Sequence, residues 1–214
     1  EPYQKAVIKA LKNLHNYSQY DWEDGSADGY ADAIESALNL YNREALPETK
    51  EWIDSQIQQM WSLQDSAHRK ATEAYRNTGI IEGWHGDGNF ARTSIMYSLW
   101  KSQGVTAFPW KKELYLGAIP LENGILVSLV SDENWEGKIK FDHQRHQSIF
   151  NLPLDYPRIN QLPEWFTVNK DQKYLVNFSK GESSQTYQGK ELMDGIEIKL
   201  EKGHQISFVV SSKE

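Results

Sequence analysis

Phe90-Ala91-Arg92-Thr93-Ser94-Ile95-Met96-Tyr97-Ser98-Leu99-Trp100-Lys101-Ser102-Gln103-Gly104 is followed, past Pro109, by Leu114-Tyr115-Leu116-Gly117-Ala118-Ile119 and Ile125-Leu126-Val127-Ser128-Leu129-Val130. The first run repeats at helical spacing and ends on Gly104, a residue type suited to the C′ position after a helix. The other two are short, rich in branched residues and separated by Asn123-Gly124, a pair that favours a tight hairpin. The chain changes grammar between them. We therefore read an α+β protein, with antiparallel α-hairpins over residues 1–108 and an antiparallel β-sandwich over 109–214.

Towards the N-terminus, Ala6, Val7, Ala10, Leu11, Leu14 and Tyr17 line one face of a first helix from Tyr3 to Tyr17. The stretch from Tyr20 to Gly29 lacks periodicity and reads as a loop, with Ser26 or Asp28 as cap of the next helix. That helix runs from Tyr30 to Tyr41 on a stripe of Ile34, Ala37, Leu38 and Tyr41, and stops before Pro47. A third extends from Thr49 into the 70s through Trp52, Ile53, Ile57, Met60 and Trp61, long enough to include a kink or break. A glycine-rich loop from Glu82 to Gly88 then leads to Asn89 as the expected N-cap of the fourth.

Towards the C-terminus, further strands are expected at Lys138–Phe141, Gln147–Asn151, Tyr174–Phe178, Ile196–Leu200 and Gln205–Val210, with turns at Glu136-Gly137, Asp194-Gly195 and Lys202-Gly203. Pro153 to Pro163 forms a long excursion. Asp142-His143-Gln144-Arg145-His146 reads as a solvated hairpin tip, or else as a receiver for an acidic polymer. No repeat and no low-complexity tract is visible.

Composition narrows the chemistry. A formal charge of -7 without a basic stripe opposes nucleic acid as a partner. No apolar run approaches the roughly 20 residues of a membrane span, so the expectation is a soluble chain and no membrane partner. The absence of cysteine closes disulfide and thiolate chemistry. His143 and His146 lack the spacing of a helical metal pair, so no metal is expected, and no phosphate-cradling loop or nucleophile elbow is present. No cofactor is expected. The start at Glu1-Pro2-Tyr3 suggests a processed chain, a trimmed one or part of something longer.

Eight Trp and eleven Tyr point either to an aromatic-rich core or to surfaces that stack on sugar rings. In an antiparallel helical array, alternate connections share an end, so the loops before the second and fourth helices should meet. They carry Trp22, Glu23, Asp24 and Asp28, and Glu82, Trp84, His85, Asp87 and Asn89. Such a rim suits a saccharide. Tryptophan takes the CH face, Asp24, Asn89 and Arg92 bind hydroxyls or a carboxylate, and His85, Asp87, Glu35 or Tyr30 moves a proton. Each has a plainer reading: Asp28 and Asn89 as caps, His85 as a loop-holding hydrogen bonder, and Arg92 as the salt-bridge partner of Asp32 or Glu35.

The strings Asp28-Gly29-Tyr30-Ala31-Asp32-Ala33-Ile34-Glu35-Ser36-Ala37-Leu38, Glu82-Gly83-Trp84-His85-Gly86-Asp87-Gly88-Asn89-Phe90-Ala91-Arg92-Thr93 and Leu152-Pro153-Leu154-Asp155-Tyr156-Pro157-Arg158-Ile159-Asn160 resemble the C-terminal portion of bacterial (α/α)-toroid proteins of the six-hairpin glycosidase-like and heparinase-like kind. The resemblance implies a part-toroid followed by a β-sandwich, a poly- or oligosaccharide partner, hydrolysis or elimination as the reaction, and a periplasmic or extracellular location. A toroid holds more helices than the four read here, so it also implies a missing N-terminal helical part as a partner. The alternative is a non-catalytic glycan-binding or structural module, with Trp135, Trp165 and Phe166 as its exposed platform.

Overall fold

The computed structural model describes residues 2–13, 27–42, 44–78, 88–145, 149, 151, 165–179 and 184–213. Helices come first: α1 (Pro2–Lys12), α2 (Ala27–Tyr41), α3 (Pro47–Thr78) and α4 (Gly88–Ser102). Strands follow: β1 (Thr106–Phe108), β2 (Leu114–Leu121), β3 (Gly124–Ser131), β4 (Trp135–Lys140), β5 (Asp142–His143), β6 (Thr167–Val168), β7 (Lys173–Phe178) and β8 (Gln185–Gln188). A short helix α5 (Gly189–Asp194) precedes β9 (Ile196–Leu200) and β10 (Gln205–Ser212). The α+β class is as expected. The chain forms two compact units, one running to Tyr97 and one beginning at Ser98, so the division falls within α4.

In the first unit, α2 buries Ile34, Ala37 and Leu38, α3 buries Trp52, Ile53, Ile57 and Met60, and α4 adds Phe90, Met96 and Tyr97. Pro47 opens α3 at the one position where a missing N–H costs nothing, and Glu48 behind it suits the positive end of the helix. The helix then runs as one element to Thr78, where the sequence allowed a break. Three other expectations change. The loop read from Tyr20 to Gly29 ends sooner, because α2 already starts at Ala27, so Asp28 is its second residue and not its cap. Asn89 is likewise the second residue of α4. The first helix ends at Lys12, and its apolar face is open: Ala6, Val7 and Ala10 are exposed. Periodicity reveals that a helix has an apolar face, not that anything covers it.

The end of α4 is built differently from the expectation of Gly104 at C′. Gln103 takes the left-handed conformation (φ 51°), its N–H bonds Trp100 O at 3.3 Å, and Gly104 N bonds Leu99 O at 3.0 Å. These are the two bonds of a Schellman ending with Gln103 at C′ and Gly104 at C″. The Gln103 side chain offsets its own backbone cost by donating Nε2 to Trp100 O at 2.6 Å.

The second unit holds a three-stranded sheet, β1-β4-β9, and a five-stranded sheet, β2-β3-β10-β7-β8, both antiparallel throughout. One core takes residues from both, Val127, Leu129, Val176, Phe208 and Val210 from the larger and Trp135, Ile139, Ile196 and Ile198 from the smaller, with Leu192 of α5. Strict alternation makes this possible: in β9, Ile196, Ile198 and Leu200 are buried while Glu197 and Lys199 face water. β2 is an edge strand that carries Pro120 and closes on β3 through the two residues Glu122 and Asn123.

Several strand expectations are corrected. Glu136-Gly137 lies inside β4 and is no turn: a Cβ at Gly137 would run into the Phe108 backbone oxygen and sit 2.5 Å from the Trp135 ring, so glycine is there to admit both the neighbouring strand and the indole. Asp142 and His143 form a parallel pair with β6, not a hairpin tip, because more than twenty residues separate the two strands and allow a crossover. Arg145 Nη2 reaches back to Asp142 at 2.8 Å. Ile149 and Asn151 are not in a strand; the rest of the expected strand at 147–151, like the Pro153–Pro163 excursion, lies outside the described residues.

Candidate functional site

The helical unit brings two of the expected site residues together. Arg92, one turn into α4, donates Nε to Glu35 Oε1 at 2.6 Å and Nη2 to Asp32 Oδ1 at 3.2 Å. Thr93 donates its hydroxyl to the same Glu35 oxygen at 2.8 Å. Glu35 is 4% exposed and Thr93 fully buried, so removing either donor would leave a carboxylate held away from water by the other alone. Asp32 is largely exposed and adds little. Arg92 pairs with both acids, where the sequence offered one or the other.

A second cluster ties α4 to α3. Trp61 donates Nε1 to Ser94 Oγ at 2.9 Å and packs edge-on against Tyr97 with centroids 5.6 Å apart. Tyr97 donates its hydroxyl to Asp54 Oδ1 at 2.7 Å, and Lys50 pairs with Asp54 from the preceding turn at 2.9 Å. Burial, followed by the hydrogen bond to Asp54, pushes the Tyr97 phenol well above the usual tyrosine range. The hydrogen bond to Asp54 raises the Lys50 ammonium as well. Tyr97 therefore sits as a proton donor and is poorly suited to be a base.

These contacts fix directions. From Asp54 to Trp61 the partners on α4 move back from Tyr97 to Ser94, so α3 and α4 are antiparallel. The short connection from α2 to α3 makes those two antiparallel as well. Hence α2 and α4 run parallel, and Arg92 with Asp32 and Glu35 joins them within about two turns of their starts.

Of the other expected residues, Trp22, Asp24, Trp84, His85 and Asp87 lie outside the described residues, as does the side chain of Tyr30 on α2. Asn89 is half-buried in the first turn of α4. Sequence reasoning missed Thr93, Ser94 and Asp54 as partners. Helical spacing alone carried a signal for the first, since Thr93 falls three residues after buried Phe90.

The aromatic platform expected of the strand unit is not formed. Trp135 is 2% exposed and donates Nε1 to Pro109 O at 2.9 Å. Trp165 is half-buried, with its indole N–H enclosed and lacking an acceptor. Phe166 is half-buried edge-on against Phe141, with centroids 6.0 Å apart. Trp135 opens β4 with its ring in the core, and Phe166 packs against the same core from just before β6. Comparison with protein-family models, with curated proteins and with solved structures found no match.

Proposed function

We propose that this chain is the C-terminal part of a polysaccharide-degrading protein, a glycoside hydrolase or a polysaccharide lyase working outside the cytoplasm. In this reading the helices are a portion of an (α/α) toroid completed by helices from elsewhere in a longer chain or from another chain. The two sheets sharing one core support a β-sandwich as the second part of the chain.

The observation that carries the reading is the parallel pairing of α2 and α4 near their starts, pinned by Arg92 on Glu35 and Asp32. Trp22 and Asp24 precede the first of these helices, and Trp84, His85 and Asp87 the second. Two connections bearing tryptophan, carboxylates and an imidazole thus lead into helix starts at one end. Trp22 and Trp84 stack on sugar rings, Asp24 and Asn89 take hydroxyls, and His85 or Tyr30 moves the proton with Asp87 as the second group. Glu35 and Arg92 act as positioning residues that set the spacing of the two helices. In hydrolysis the proton goes to the leaving glycosidic oxygen and water adds to the anomeric carbon; in elimination the proton comes from C5 as the C4–O bond breaks.

The test is product release from a panel of neutral and acidic polysaccharides, read as new reducing ends and as unsaturated uronate absorbance. His85→Ala and Asp87→Ala are expected to lower the rate by about 100-fold or more. With the toroid completed by those further helices, absence of product from every polysaccharide, or turnover indifferent to both substitutions, would reject the reading.

A further inference from the structure

Two large aromatic side chains of the strand unit stand open to water beside the three-stranded sheet: Phe108 is 65% exposed and Trp110 63%. Phe108 ends β1, an edge strand, and its neighbour Ala107 packs on the core. Alternation therefore turns Phe108 outward, next to its cross-strand partner Lys138. Lys140, on the same face of β4, holds its ammonium 5.5 Å from the Phe108 ring centroid. Lys111 follows Trp110 directly.

Among the described residues, no carboxylate lies within ion-pair distance of Lys111, Lys138 or Lys140. Of the acids of this sheet, Glu136 pairs with Lys199 at 2.9 Å, and Glu197 stands opposite Lys138 in the ladder without an ion pair to it. In a chain of net charge -7, Phe108, Lys138 and Lys140 thus share one face of the sheet, Trp110 and Lys111 follow a few residues past the end of β1, and among the described residues none of the three cations has an ion-pair partner.

We infer that this corner of the three-stranded sheet, formed by Phe108, Trp110, Lys111, Lys138 and Lys140, binds an acidic glycan. The rings accept the CH faces of successive sugars, and the ammonium groups meet the carboxylate or sulfate each acidic sugar carries. A single-stranded nucleic acid would find rings and cations too, and it is the competing ligand that the test must separate. The surface takes its ligand class from the saccharide reading above and is otherwise independent of the helical residues.

Calorimetric titration of the whole chain with hyaluronan, polygalacturonate and heparin tests it, with dextran as the neutral control and poly-dT as the nucleic acid control. At least one acidic glycan binds, at least about tenfold tighter than dextran and poly-dT, and more weakly as salt rises. Trp110→Ala, and separately the pair Lys138→Ala with Lys140→Ala, each weaken it by about tenfold while the circular dichroism spectrum is unchanged. Binding of no acidic glycan, binding unmoved by these substitutions, or a preference for poly-dT overturns the inference. Saturable binding that responds to Trp110→Ala but yields no product sinks only the degradative reading. Product release from acidic glycans with binding indifferent to Trp110→Ala sinks only this one.

Discussion

The strand unit and the helical unit solve the same problem with different interactions. In β3, Ile125, Val127 and Leu129 are buried and the residues between them half-open, and the same alternation in β9 and β10 feeds one apolar core. In the helical unit, apolar stripes on α2 and α3 are joined to α4 by charge and hydrogen bonds, with a fully buried Thr93 and an exposed Ile95 within one turn. Non-directional burial tolerates small shifts in position; a buried carboxylate held by two donors does not. The helical unit should therefore be the more particular about side-chain identity, and the strand unit about side-chain volume.

The largest effect should come from emptying the strand core. Phe208 is fully buried and packs on Phe178 with centroids 5.1 Å apart, so Phe208→Ala should cost about 3–5 kcal/mol, seen as faster hydrogen exchange of β3, β7 and β10 amides. Next, Glu35→Ala leaves Arg92 without its buried partner and should cost the helices about 3 kcal/mol, whereas Asp32→Ala, at the exposed end of the same network, should cost under about 1 kcal/mol. Equal losses from the two acids would erase the contrast between the units. Tyr97→Phe should cost about 1 kcal/mol at neutral pH.

The pH dependence sharpens the last of these. Tyr97 and Lys50 both hold their protons more tightly folded than unfolded, so their contribution is complete below about pH 10 and falls as pH rises beyond it. Thermal unfolding of the helical band above that pH should show the loss, reduced in Tyr97→Phe. An unchanged alkaline slope in that variant would remove the phenol from the account.

Much of the fold was legible because alternation is a local signal: β9 matches its expected bounds, and β2, β3, β7 and β10 fall within a few residues of theirs. What escaped were elements whose existence depends on a neighbour. Gln185-Thr186-Tyr187-Gln188 has no alternation of its own and becomes β8 by pairing with β7, and Asp142-His143 becomes β5 only because β6 lies beside it. Gly137 looked like a turn residue because glycine is ambiguous until the Trp135 ring is seen to need the space. Within the candidate site, Glu35 and Arg92 were each picked out, but 57 residues separate them and no spacing rule joins them. Trp135 shows the converse limit, since a tryptophan wanted by the core and one wanted by a ligand look alike in sequence.

The outermost strand β2 has one further consequence. Leu121 and Gly124 close a two-residue hairpin and form its hydrogen-bonded pair, so Pro120 and Ile125 form the next, non-bonded pair, and the nitrogen of Pro120 faces the free side of the sheet. With Tyr115, Ile119 and Leu121 all exposed along that strand, the border would otherwise invite strand-by-strand polymerisation. The proline deletes one donor from the row that an incoming strand would read, and it does so where the greasy residues are densest.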